Sequence, residues 1–278
     1  MRLKCNDGMK KEETLSYWVD QRLYRGYYTF TFQEAAQEFA SWDSLYLKTA
    51  VNRLVRQSKI ISPAKGFYVI IPVEFALTGL IPATFYADQM MTYLKREYYV
   101  GLLNAAAFYG AAHQRPHTFT IIHDGATLTD GVRSGINFSF VKRSVLDKNF
   151  IRKHKTKLGT INVSSPELTA IDLIENYAKV GGLNRVCTVM SELAESLDFS
   201  EVDDLFFKIL GVPIYQRLGY ILDEVLEEGE LADNLFKRMK ELNISFRKTV
   251  FKTGKEIAGC DINEKWKIII NQEIEIDE

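Results

Sequence analysis

Residues 11–71 run through three helical patterns and a hairpin without a long break, and that order constrains the fold more than anything else in the 278-residue chain. Leu15, Trp18, Val19 and Leu23 recur at helical spacing and Gly26 follows them, so Lys11 to Tyr24 reads as a helix with its stop. Thr31 precedes Glu34 by three residues, the spacing of a capping box, ahead of the apolar Ala35, Ala36 and Phe39. After the break Ser41-Trp42-Asp43-Ser44, which offers two more N-caps, Leu47, Val51, Leu54 and Val55 trace one face of a helix running to about Ser58. Ile60 to Ser62, a turn over Pro63 to Gly66, and Phe67 to Ile71 then read as a β-hairpin. Helix, helix, helix, hairpin is the order of a winged helix-turn-helix domain, here assigned to residues 1–78.

The polar face of the third helix points to nucleic acid. With its apolar residues turned inward, Tyr46, Lys48, Thr49, Asn52, Arg53 and Arg56 face outward. Arg grips guanine bidentately, Asn pairs with adenine, and Thr meets the thymine methyl in a major groove. Ser44 at the helix start and Lys65 at the hairpin tip are placed to hold phosphates and fix register. The other reading of this face is a solvated surface or a protein-binding one. Overall charge does not decide, because the net value is −1. Its distribution is more telling: residues 1–72 carry 11 Lys and Arg against 7 Asp and Glu, which leaves 24 against 29 in the rest.

Beyond Pro72 and Pro82 the pattern changes. Helices are predicted over Ala83–Leu94 and Val100–Ala112, strands over Thr118–Ile122, Ile136–Val141 and Thr160–Val163, and a further helix opens at Ser165-Pro166. Helical periodicity continues to about Leu242, with breaks at Gly181-Gly182, Gly211 to Pro213 and Gly229, and the chain closes with strands over Ser245–Phe251 and Trp266–Ile270. The class is therefore α+β: an N-terminal winged helix-turn-helix followed by a larger domain, 79–278. That domain is mixed α/β over 79–165, mainly helical over 166–243, and ends in the strands of 244–278.

Other constellations in this second part carry less chemistry. A basic run at Lys142, Arg143, Lys148, Arg152, Lys153, Lys155 and Lys157, with Asp147 its only acid, could touch nucleic acid or a phosphate-bearing partner, or could be a solvated loop and helix face. Glu167, Asp172 and Glu175 gather carboxylates at a helix start, where the macrodipole favours them; catalysis would need them to meet a second set. The stretch Asp198–Asp233 sets 10 acids against Lys208 and Arg217, as an acidic face for a basic partner or as a solvated helix surface. His113 and His117 have the spacing of a metal pair, but Pro116 ends the helix that would align them, and Cys5, Cys187 and Cys260 lie far apart. Gly125 and Gly181-Gly182 lack a phosphate-loop context, and no nucleophile motif appears. Neither a metal nor a cofactor is expected, nor is catalysis. No apolar run is long enough for a membrane span and no signal peptide stands at Met1 to Lys11, so the expected compartment is the cytoplasm.

Several segments, in order, resemble the AbiEi family of antitoxins. They are Arg53 to Ile60 with Lys65 to Val69, Tyr99 to Pro116 with its Gly-Ala-Ala-His-Gln ending, Val163 to Leu173, Gly181 to Val186, Gln216 to Gly219, and Trp266 to Asn271. The resemblance implies an antitoxin of a type IV toxin-antitoxin system, acting in abortive infection and phage defence. It would bind inverted repeats in double-stranded operator DNA, repress its own operon, and counter a nucleotidyltransferase-like toxin with or without a stable complex. The family's DNA contacts fall here on Lys48, Thr49, Asn52, Arg53 and Arg56. Gly101, Ala105, Ala106, Gly110 and Ala111 would let a neighbouring element pack closely, which makes that helix architectural. The alternatives are a winged-helix-targeted enzyme acting on nucleic acid or nucleotides, and a plain transcriptional regulator.

Overall fold

The computed structural model describes residues 14–112 and 116–275. Contacts divide the chain into two units, 1–96 with 130–138 and 155–161, and 97–129 with 139–154 and 162–278.

In the first unit, α1 (Leu15–Tyr24) starts at Thr14, whose hydroxyl accepts the amide of Tyr17. The expected beginning of this helix at Lys11 lies outside the described residues. After β1 (Thr29–Thr31), the capping box forms as the spacing predicts: Glu34 N donates to Thr31 Oγ1 at 3.1 Å, and Thr31 N donates to Glu34 Oε2 at 2.7 Å, opening α2 (Phe32–Glu38). Then follow α3 (Ser44–Arg56), β2 (Ile60–Ala64) and β3 (Phe67–Ile70), with the strands ordered β1-β3-β2 and antiparallel. Leu15, Val19, Phe30, Ala35, Leu47, Val51, Leu54, Ile60 and Ile70 form one buried core beneath these elements. Pro63 stands on the edge strand, where a missing amide breaks no ladder.

The predicted helix Ala83–Leu94 is interrupted. A 3-10 turn (Ala83–Phe85) meets α4 (Ala87–Tyr93) at Tyr86, whose backbone is non-helical at φ −136° and ψ −3° and whose ring is fully buried. Also in this unit, β6 (Gly131–Arg133) pairs with the first residues of the strand Ile136–Lys142 across a turn in which Ser134 and Gly135 both have positive φ, the hand that matches a hairpin's twist.

The second unit is built on β4 (Tyr98–Val100), which runs parallel to β9 (Gly159–Ser164) and antiparallel to β5 (Thr118–His123). Within this unit the sheet order is β7-β5-β4-β9-β8, where β7 (Ile136–Lys142) contributes its residues from Ser139 on and β8 (Ile151–Thr156) those up to His154. The helix expected over Val100–Ala112 is thus corrected to a strand followed by the shorter α5 (Leu102–Phe108). Val100 is taken by pairing with Ile121 and Val163. At Gly101 the backbone passes so close to Ile122 that a Cβ would sit 2.7 Å from its Cδ1. Ala105, Ala106 and Ala111 are fully buried, as close packing of that helix requires, whereas Gly110 is exposed.

Ser165 and Pro166 open α6 (Pro166–Glu175) as predicted, with Ser165 Oγ accepting the amide of Leu168. There follow α7 (Leu183–Leu193), α8 (Phe206–Ile209), α9 (Val212–Tyr220), a π-helical stretch (Ile221–Val225) and α10 (Gly229–Glu241). The two closing strands are much shorter than expected, β10 (Thr249–Val250) and β12 (Ile268–Ile269), and a further one, β11 (Ile262–Asn263), pairs antiparallel with β12. Side chains take over the ladder's work there. Gln216 Nε2 donates to the carbonyls of Arg247 and Trp266, and Arg217 Nε to those of Val250 and Phe251. Gly219 lies under the Trp266 ring, where a Cβ would come within 2.1 Å. Among the described residues no helix is long and apolar enough to cross a membrane.

Candidate nucleic-acid interface

The local sequence makes α3 both stable and one-sided. Asp43, and not Ser44, caps it: Oδ1 accepts the amides of Leu45 at 2.8 Å and Tyr46 at 3.3 Å. Those amides are therefore answered by a carboxylate, and Ser44 is simply the first helical residue. Leu47, Ala50, Val51 and Leu54 are buried, and that burial fixes which way the rest of the helix points.

The other face is exposed at every position singled out above: Ser44, Tyr46, Lys48, Thr49, Asn52, Arg53 and Arg56. From Ser44 to Gln57 there is no carboxylate. Among the described residues, Lys48, Asn52, Arg53 and Arg56 enter no side-chain hydrogen bond or ion pair. Tyr46 lies at the flank, its ring edge-on to Trp42 with centroids 4.8 Å apart. Thr49 Oγ1 donates to the carbonyl of Leu45 at 2.8 Å.

Lys65 is exposed at the hairpin turn, and its own carbonyl accepts the Tyr93 hydroxyl at 3.0 Å. Gly66, at φ +79°, lets the turn close beneath that hydroxyl, where a Cβ would sit 2.7 Å away. One residue of this face was left out of the sequence reading. Leu45 is 72% exposed, and a helical wheel signals it by setting it in line with Thr49, Asn52 and Arg56.

The second basic run does not gather into one patch. Arg143 belongs to the interior at 8% exposure, which corrects its place among surface cations. Its Nη1 donates to Tyr99 Oη at 2.6 Å, and its Nη2 lies 2.6 Å from Asp172 Oδ1 and 2.7 Å from Glu175 Oε2. Tyr99 Oη in turn donates to Asp172 Oδ2 at 2.9 Å. Burial pushes the Asp172 carboxyl up to about 6, although Arg143 and the Tyr99 hydroxyl pull it down, and burial likewise drives the Tyr99 hydroxyl far above its ordinary range.

Lys142, Lys148, Arg152, Lys153, Lys155 and Lys157 are exposed. The segment carrying Arg152, Lys153 and Lys155 is the edge strand β8 and not a loop or helix face. Strand alternation turns Arg152 and Lys153 to opposite sides. Lys148 pairs with Glu97 at 3.3 Å in solvent, a contact contributing no more than about 1 kcal/mol. His154 packs against the rings of Phe108 and Tyr109, and partial burial lowers its proton affinity.

The three carboxylates expected at a helix start are instead spread along α6, with only Glu167 in the first turn and Glu175 the last residue, and each has a structural partner. Asp172 and Glu175 hold Arg143, while Glu167 Oε1 accepts the amide of Asp198. His113 lies outside the described residues, and no group of three or more potential metal ligands occurs among the described ones.

With this geometry in hand, comparison with known proteins bears on the second part of the chain. No curated protein matches. The crystal structure of the RV2827C protein from Mycobacterium tuberculosis superposes with a TM-score of 0.65 over 91% of this chain and 90% of that one, at 14% identity, which is a likeness of fold. Residues 99–224, which contain Tyr99, Arg143, Asp172 and Glu175 but none of α3, match the family described as the AbiEi antitoxin C-terminal domain. Over Tyr99 to Glu224 the chain matches an AbiEi antitoxin C-terminal domain, and that match supports an antitoxin role in a toxin-antitoxin system.

Proposed function

We propose that the protein is the antitoxin and transcriptional repressor of a type IV toxin-antitoxin system. Residues 1–78 act as a winged helix-turn-helix domain on operator DNA, and residues 79–278 counter a nucleotidyltransferase-like toxin without catalysis. The observation that carries the DNA-binding half is the outer face of α3, with three cations, an asparagine and a threonine exposed, no carboxylate, and no side-chain partner for Lys48, Asn52, Arg53 or Arg56 among the described residues. The arrangement around it supports the same reading. A helix reading base edges needs a second helix and a β-hairpin to fix its angle. Here α2 precedes α3, and β2 and β3 follow it directly with Lys65 at their turn. Phosphate contact by Lys65 would set register while Asn52, Arg53 and Arg56 read bases.

A mobility-shift titration with duplex DNA from immediately upstream of the protein's own reading frame tests this. Asn52→Ala or Arg53→Ala is expected to weaken specific binding by about 1–3 kcal/mol, with binding to unrelated duplex much less affected for Asn52→Ala. Unchanged titrations for both variants would exclude α3 as the reader. For the second half, expressing the neighbouring reading frame alone should arrest growth, and this protein should relieve the arrest. Failure of relief would remove the toxin-countering role.

A further inference from the structure

The inference here deepens the DNA-binding reading of α3 and rests on it. At 3.6 residues per turn, Leu45, Thr49, Asn52 and Arg56, spaced by four, three and four, fall in one narrow stripe down the middle of the exposed face. The two halves of the stripe differ in chemistry. Asn52 and Arg56 offer hydrogen-bonding groups. Leu45 offers only an isobutyl group, 72% exposed. Thr49, which the sequence already offered as a partner for a thymine methyl, has its hydroxyl turned back onto the Leu45 carbonyl at 2.8 Å, so its methyl is the group left for a ligand. The first turns of the helix thus present two apolar groups, at the end of a recognition helix that reaches base edges.

We propose that Leu45 and the Thr49 methyl form a thymine-reading element, seating against the 5-methyl groups of thymines in one half-site. The surrounding charge selects DNA over an apolar protein partner, since Lys48, Arg53 and Arg56 flank these groups and no carboxylate lies between Ser44 and Gln57. In the major groove the thymine methyl is the apolar feature that such groups can desolvate against. Leu45 and Thr49 are about 6 Å apart along the helix axis, roughly the rise of two base steps, so the thymines they read lie within two steps of each other.

The test begins with selection of duplexes from a random-sequence pool by the full chain, followed by titration of the recovered site with deoxyuridine replacing each thymine in turn. Loss of a read methyl should weaken binding about fourfold, the effect of one buried methyl group. Leu45→Ala should bind thymine and deoxyuridine probes alike at one of those positions while melting at the same temperature as the parent. Equal affinity of the parent chain for thymine and deoxyuridine probes at every position overturns the proposal and leaves DNA binding standing. Undiminished discrimination by Leu45→Ala likewise overturns the role of Leu45. Recovery of no duplex by the parent chain overturns DNA reading by α3, and with it the proposal.

Discussion

Arg143 is held by three groups at once, and each of them depends on it in turn. Asp172 is fully buried, so removing the guanidinium leaves a carboxylate with only the Tyr99 hydroxyl to answer it. Arg143→Ala is expected to cost about 3–5 kcal/mol in urea denaturation, as for other buried pairs broken from one side. The pH dependence has a definite sign. Burial raises Asp172 from its ordinary 3.8 to about 6, so the folded state binds the proton more tightly than the unfolded chain. The stability this lends is complete below the ordinary value and is lost as pH rises through about 6. Unfolding free energy measured from pH 4 to 6.5 should therefore carry a falling component that Asp172→Asn removes; an identical slope in the variant would contradict it. Gly219→Ala forces a methyl toward the Trp266 ring and should lower stability by about 1–3 kcal/mol, because the ring is pinned by Nε1 donating to Asp223 and cannot withdraw freely.

At the scale of elements, local signals were legible and pairwise ones were not. The Thr31–Glu34 box and the Ser165-Pro166 start are written within four consecutive residues and the buried stripe of α3 within eight, and each appears where the spacing predicts. Removing Asp43 by Asp43→Ala should lower melting stability by about 0.5–2 kcal/mol through loss of the α3 cap, and circular dichroism thermal melts would register it. β4 escaped because three residues hold their strand only by pairing with β5 and β9, and its neighbours Leu103 to Ala107 look helical on their own. Arg143 looked like one more surface cation because the carboxylates that draw it inward lie 29 and 32 residues further along the chain. Leu45 went unread for the opposite reason, since a leucine beside an amphipathic helix is ordinarily assigned to its apolar side.

For the whole molecule, the net charge of −1 means that any attraction to DNA is local. With Arg53 and Arg56 on bases, Lys48 and Lys65 are the cations left for phosphates, so the plot of log affinity against log salt should have a slope of about −2. Binding would weaken about tenfold between 50 and 200 mM salt. A slope near zero, measured by titration at several salt concentrations, would contradict phosphate contact by this face. The family match over residues 99–224 was foreshadowed by the short sequence segments that lie within it. Much of what those segments encode in the second unit is architecture: Gln216 and Gly219 meet Trp266, and Tyr99 meets Asp172.

The bond from the Tyr93 hydroxyl to the carbonyl of Lys65 has a thermodynamic meaning for recognition. A hairpin tip free to sample many shapes loses about 1–2 kcal/mol per residue when a ligand immobilises its backbone. Tyr93 already restrains this tip when the chain folds, so a phosphate binding at Lys65, as proposed, would lose less affinity to the freezing of a loop.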